Sequence, residues 1–191
     1  MHKSQYYFSQ CLEAASKSPM AYTLGAVLVK GGKVISTGHN HHRTHYDGND
    51  VRTHGHRKPV SMHAEMHAIF SFTGAAPSFK QQVQARGARN EGEKRGRGSD
   101  SSDGWSRDAR RRDARVNGAD LYVVRVVKSR TGSAKPCWRC VRWCSWSGVR
   151  RIFHWNPVEG RFDVVKVNSV EEGEVYETQA DTRLFAGAVS R

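Results

Sequence analysis

Apolar and polar positions along this 191-residue chain follow two rhythms, one helical and one of buried strands. Residues 3–17 place Tyr7, Cys11, Leu12, Ala14 and Ala15 near helical spacing, which predicts an opening helix stopped by Ser18-Pro19. Residues 24–30 (Leu-Gly-Ala-Val-Leu-Val-Lys) read as a buried strand, Gly31-Gly32 as a tight turn and 33–38 as the returning strand. Residues 39–60 are polar and read as a long loop. Residues 61–73 return to helical character, with Ser61 as N-cap and Met62, Met66, Ile69 and Phe70 as the apolar face. That reading puts His63 and Glu65 in the first turn, and Gly74 and Pro77 end the helix. Residues 120–128 form a strong central strand, 137–147 a helix, 150–155 a strand, Asn156-Pro157 a turn and 162–167 a further strand. Beyond Asn168 the pattern is weak, with a short helix at about 178–187. Helices alternating with buried strands predict an α/β fold: a three-layer α/β/α sandwich around a mixed, roughly five-stranded sheet.

One stretch breaks the pattern. Residues 77–118 hold eleven basic and six acidic residues, many Gly and Ser, and few apolar side chains. Such a composition does not bury enough surface to offset its ordering entropy, so the stretch reads as a flexible insertion. Without it roughly 150 residues are left, the size of one domain. The insertion has two readings, a nucleic-acid-binding arm or a neutral low-complexity spacer.

Composition narrows the partners. The formal charge is +13, and a basic surface concentrates polyanions, nucleic acid first among them. A free nucleotide phosphate, or charge spread for solubility, is the competing reading. No apolar run of about 18 residues and no signal pattern is present, so an intracellular protein, cytoplasmic or nuclear and away from membranes, is expected. Three of the four cysteines fall within 137–144, a spacing that favours metal binding over a disulfide scaffold.

The chemistry is concentrated in two strings, His63-Ala64-Glu65 and Pro136-Cys137-Trp138-Arg139-Cys140. Taken alone, the CxxC also fits a structural zinc knuckle, a redox pair or two buried thiols. Taken together, the strings offer three metal ligands, His63, Cys137 and Cys140, and one carboxylate, Glu65, not needed as a ligand. Three protein ligands leave the fourth position of a Zn2+ ion for water, the arrangement of a catalytic site. Zinc brings the pKa of that water towards neutrality, and Glu65 is placed to shuttle its proton.

At this point the chain resembles the cytidine deaminase-like superfamily of zinc-dependent nucleobase deaminases. The matching pieces are the hairpin from Gly25 to Gly38, Asn40, the helix Met62 to Ile69, and Lys135 to Cys140. They cover roughly two thirds of the chain, by motif extent. The resemblance implies one zinc-dependent deaminase domain over 1–191 and hydrolytic deamination, with Glu65 as catalytic residue. His63 in place of a cysteine is similar to the branch of tRNA adenosine, deoxycytidylate and nucleic-acid-editing cytidine deaminases. Lys135 stands where the tRNA adenosine branch usually has Glu. The resemblance points to Asn40 as a substrate contact, with the Ala64 N–H or the Lys135 carbonyl positioning the base. His42 and His45 lie near the expected pocket mouth. Homo-oligomers are common in the superfamily, which is analogy alone.

Substrate choice rests on further features. Trp138, Trp143, Trp146 and Trp155 are interleaved with Arg139, Arg142, Arg150 and Arg151. They read either as a platform for bases and phosphates or as a packed face with solvated arginines. Eight of the ten histidines fall in 39–67. A polar loop of solvated histidines is the preferred reading of that group, and a second zinc site the other. The leading function is deamination of cytosine in single-stranded DNA or RNA. Its alternatives are a deaminase of a free nucleotide such as deoxycytidylate, an adenosine deaminase acting on RNA, and a non-catalytic zinc- and nucleic-acid-binding subunit.

Overall fold

The computed structural model describes residues 3–42, 61–75, 113–128, 130–170, 176 and 178. His45, most of the expected insertion and all but the first residue of the helix expected at about 178–187 lie outside the described residues. In chain order the elements are α1 (Lys3–Ser16), β1 (Thr23–Lys30), β2 (Lys33–His39), β3 (His41–His42), β4 (Ser61–Met62), α2 (Ala64–Thr73), β5 (Asp120–Val127), β6 (Arg130–Gly132), α3 (Trp138–Ser147), β7 (Arg151–Asn156) and β8 (Arg161–Lys166).

The main sheet runs β2-β1-β5-β7-β8, and β6 pairs with β5 off that path. β1 is antiparallel to β2 and β5, and β7 is antiparallel to β8. The β5–β7 pair is parallel. A parallel pair needs a crossover, and α3 supplies it. The sheet is mixed, as the sequence predicts, with one strand more than the expected five. The addition, β6, is three residues long and folds back on β5.

The apolar run of β1 is explained by the two faces of the sheet. Side chains alternate across a strand. Val27 and Val29 join Tyr7, Cys11 and Val124 under α1. Ala26 and Leu28 join Met66, Ile69, Leu121, Cys140 and Trp143 under α2 and α3. Both faces are therefore covered, and the three layers are α1, the sheet, and α2 with α3.

Two glycines set how closely the helices approach. A Cβ on Gly25 would overlap the backbone of Cys11 and Ala15 in α1. A Cβ on Gly38 would overlap the backbone of Ala64 and Ala68 in α2. Each strand thus carries one position with no side chain where a helix backbone rests on it.

Two expectations are corrected. Ser61 does not cap α2: it pairs with His42 in the β3–β4 ladder, so the chain is still extended there and the helix starts three residues later. The low-complexity stretch does not extend to residue 118. Val116 is fully buried, and Lys30 Nζ donates to Ala114 O at 2.6 Å; Val116 and Ala119 supply the apolar anchors that fold 113–119 onto the body.

Candidate active site

Both motif halves sit at the starts of helices. His63 is the N-cap of α2, with extended backbone (φ −75°, ψ 154°), and Cys137 is the N-cap of α3 (φ −79°, ψ 161°). An N-cap side chain ordinarily accepts from the first-turn amides. Neither does so here, and the two side chains meet each other instead. His63 Nδ1 lies 3.2 Å from Cys140 Sγ and 3.4 Å from Cys137 Sγ. The three donor atoms lie within 4.8 Å of one another. A tetrahedral zinc ion with ordinary bond lengths separates its nitrogen and sulfur ligands by roughly 3.5 Å. The observed spacings suit that ion, and the cluster can coordinate a metal.

The electrostatics agree. Burial pushes the Cys140 thiol well above its ordinary range, with further upward pressure from Cys137 and Glu65. Burial therefore favours the neutral forms, and ionising both thiols beside the Glu65 carboxyl in this place would need a compensating cation. Burial draws the His63 imidazole down, but the charge and hydrogen bond of Cys137 more than offset it, and the net direction is up. Glu65 is 3% exposed. Burial raises its carboxyl, with His63 opposing. Its Oε2 is buried with no hydrogen-bond partner among the described residues. A buried, unpaired carboxylate oxygen is costly, and such atoms are retained where a ligand completes them.

The remaining predicted residues fall into separate groups. Ala64 is fully buried beside His63, and Lys135 and Trp138 flank Pro136 and Cys137, each partly buried. Asn40 is 6% exposed, and its carboxamide serves the chain itself. Oδ1 accepts from Leu24 N (2.7 Å) and Ser18 Oγ (2.8 Å), while Nδ2 donates to Tyr22 O (2.7 Å) and lies 3.2 Å from Met20 Sδ. A substrate contact at Asn40 therefore has to replace one of these bonds. His42 is exposed on β3.

The tryptophan–arginine platform is corrected in part. Trp143 and Arg139 are each only 1% exposed. Trp143 belongs to the core beneath α3. Arg139 Nη2 reaches Ser61 O at 3.4 Å and Met66 Sδ at 3.8 Å, so it ties the CxxC turn to the segment carrying His63. Arg151 makes a bidentate pair with Asp120 at 2.8 and 2.6 Å. Trp155 packs on Phe8 at a centroid distance of 4.2 Å. Interior and exterior positions of an amphipathic helix divide the α3 part of the platform: Arg139 and Trp143 turn inward, while Trp138, Arg142 and Trp146 retain access to solvent, as Arg150 does beyond the helix.

Sequence reasoning missed Tyr176. It forms a parallel bridge with Cys137, and its carbonyl accepts from Trp138 N at 3.0 Å. Burial raises its phenol, and the charges of Cys137, Glu65 and Cys140 add to the effect, which places it beside the cluster. A one-residue bridge has no periodicity, so the sequence carries no signal for it. A cavity of about 520 Å³ lies elsewhere, lined by Lys3, Tyr7, Asp120, Tyr122, Arg151 and Phe162 among others, and no predicted site residue borders it.

A His-Cys-Cys cluster able to hold a metal ion, with a buried carboxylate beside it on an α/β/α sandwich, supports a hydrolytic zinc enzyme of the deaminase class. The family model described as "Cytidine and deoxycytidylate deaminase zinc-binding region" matches residues 1–155, and the chain belongs to that family. No curated protein matches it. Among solved structures it is similar to the dCMP deaminase from the cyanophage S-TIM5 in apo form, at 14% identity over 78% of this chain and 79% of that one (TM-score 0.39). It is also similar to a cytidine deaminase from Burkholderia pseudomallei, at 18% identity over 88% and 94% (TM-score 0.44). Among the described residues no helix is long and apolar enough to cross a membrane.

Proposed function

We propose that this protein hydrolyses the exocyclic amine of cytosine to give uracil and ammonia, acting on the base within single-stranded DNA or RNA. The observation that carries the chemistry is Glu65 Oε2, buried and without a hydrogen-bond partner among the described residues, beside His63, Cys137 and Cys140. His63, Cys137 and Cys140 would hold Zn2+, which supplies Lewis acidity and a water that ionises near neutral pH. Glu65 takes up the proton given by the attacking water and delivers it to the ring nitrogen N3. It then takes the second proton from the new C4 hydroxyl and passes it to the exocyclic nitrogen, so that the C4–N bond breaks, the C4 carbonyl forms and the amine leaves as ammonia. A carboxyl whose pKa is raised by burial is suited to holding that proton between the two transfers. Ala64 N–H and the Lys135 carbonyl border the cluster and are the groups proposed to orient the base. The net charge of +13 supports a polyanionic carrier.

The burial of Arg139 and Trp143 favours a second reading. With these two members of the platform inside the core, the groups left outside suffice for one phosphate, and free deoxycytidylate is the substrate under that reading. Sequencing of oligonucleotide pools after incubation, scored for C-to-T and A-to-G changes, tests the proposal alongside a mononucleotide panel. C-to-T changes support it. Turnover of the mononucleotide with no change in any oligonucleotide overturns it in favour of the second reading.

A further inference from the structure

Outside the His-Cys-Cys cluster, three histidines come together from three elements. His39 ends β2, His41 opens β3 and His67 lies one turn into α2. One ring nitrogen from each lies within 4.8 Å of the others. The ring centroids are 5.4 Å (39–41), 4.7 Å (39–67) and 4.4 Å (41–67) apart. All three side chains are half-buried, so an ion can reach them from solvent. We infer that His39, His41 and His67 form a second metal site, separate from the first, that takes a divalent late first-row transition cation, with zinc as the ion to test.

The donor chemistry selects the ion class. Three neutral imidazoles suit Zn2+, Cu2+ or Ni2+, whereas Mg2+ and Ca2+ require oxygen ligands. A tetrahedral set of nitrogens around zinc needs separations of roughly 3.3 Å, so side-chain adjustment of at most about 1.5 Å closes the site. The backbone orients the rings. His67 Nδ1 lies 2.9 Å from His39 O and 3.1 Å from His39 N, and His41 Nδ1 lies 3.2 Å from His39 O. In the tautomer in which the Nδ1–H of His41 and of His67 donates to that carbonyl, these two rings keep the Nε2 lone pair for a metal; the opposite His67 tautomer, with Nδ1 accepting from His39 N–H, is the one metal binding would displace. Ligating histidines are commonly fixed by donation to a backbone carbonyl in this way.

The position also matters. His41 pairs with Met62 in the β3–β4 ladder, immediately before His63. His67 N donates to His63 O at 2.9 Å. An ion held by the three histidines would clamp the segments on both sides of the His63 cap. The inference uses no part of the substrate assignment, and either can fail while the other stands.

Zinc content per chain, measured by elemental analysis after loading and desalting, tests the proposal. The wild-type protein is expected to hold two equivalents and His41→Gln one. His63→Gln loses the other equivalent and keeps the histidine site. Cobalt substitution separates the two: thiolate-to-cobalt charge-transfer absorption should saturate at one equivalent while total bound cobalt reaches two. One equivalent in the wild type, unchanged in His41→Gln, overturns the inference. The wild-type measurement decides the matter even if a variant does not fold.

Discussion

Gly38→Ala separates the fit of α2 on the sheet from the general cost of overpacking. An alanine Cβ at position 38 would lie 2.5 Å from Ala64 O and 2.8 Å from Ala68 Cα, where ordinary contact is 3.4–4 Å. Both partners are helix backbone, so α2 has to retreat by about 1 Å, since close-packed interiors offer no slack. Overpacking of this kind costs about 1–3 kcal/mol. For a domain of this size that is a fall in Tm of about 2–12 °C. His63 caps the same helix and moves with it. Its Nδ1 is 3.2 and 3.4 Å from the two sulfurs, so the displacement is a large fraction of the ligand spacing. Misplacement by about 1 Å costs on the order of 10²-fold in rate. Gly25→Ala is the matched control, because its Cβ would strike Cys11 and Ala15 of α1 on the opposite face. We expect both variants to lose similar stability in thermal denaturation. Only Gly38→Ala should lose zinc affinity in a competitive chelator titration at a temperature where both are folded. If Gly38→Ala binds zinc as tightly as the wild type, or Gly25→Ala loses affinity equally, the close approach of α2 does not position His63 and the reasoning is wrong.

Further outcomes follow from the site and the core. Glu65→Gln should keep the cluster's zinc, read by elemental analysis, while turnover falls about 10²–10⁴-fold; full activity would refute Glu65 as the proton carrier. Cys144 is buried and its thiol is pushed up by burial, yet it lies outside the ligand cluster. Cys144→Ala should therefore leave zinc stoichiometry unchanged, whereas Cys140→Ala should lower it. Trp143→Ala should cost about 3–5 kcal/mol in denaturant unfolding, as a large core truncation does. Arg142→Glu, on the exposed face of α3, should leave stability nearly unchanged and lower affinity for a single-stranded oligonucleotide, with a shallower salt dependence. An unaltered salt slope would remove α3 from any nucleic-acid contact.

The elements with strong periodicity were legible in the sequence. The β1–β2 hairpin, β5, α3 and β7 were predicted to within a residue or two at their ends, because buried runs and turn glycines report local physics. The ligand set was legible for another reason: His63, Cys137 and Cys140 are chemically unusual in their spacing and need no fold to be recognised. What was missed depends on tertiary contact. Ser61 looks like a cap in isolation, and only its pairing with His42 shows that the chain is still extended. Trp143 fits either a base platform or a packed face until α3 is placed, and Arg139 looks solvated under both readings, yet the packed helix turns both inward. The burial of Val116 within a basic, glycine-rich stretch depends on a surface the stretch cannot know about. His39, His41 and His67 are 28 residues apart in sequence at the extremes, and their meeting follows from Gly38 letting α2 lie against β2.

The bridge between Tyr176 and Cys137 bears on how this protein can be shortened. The amide of Trp138 is one of the first-turn donors that a helix cannot satisfy internally, and the Tyr176 carbonyl is its acceptor. A truncation after Ser169, attractive because the last described strand ends at Lys166, would strip that acceptor from the turn holding both cluster thiols. Expression boundaries for this chain therefore belong beyond Thr178, well past the final strand of the sheet.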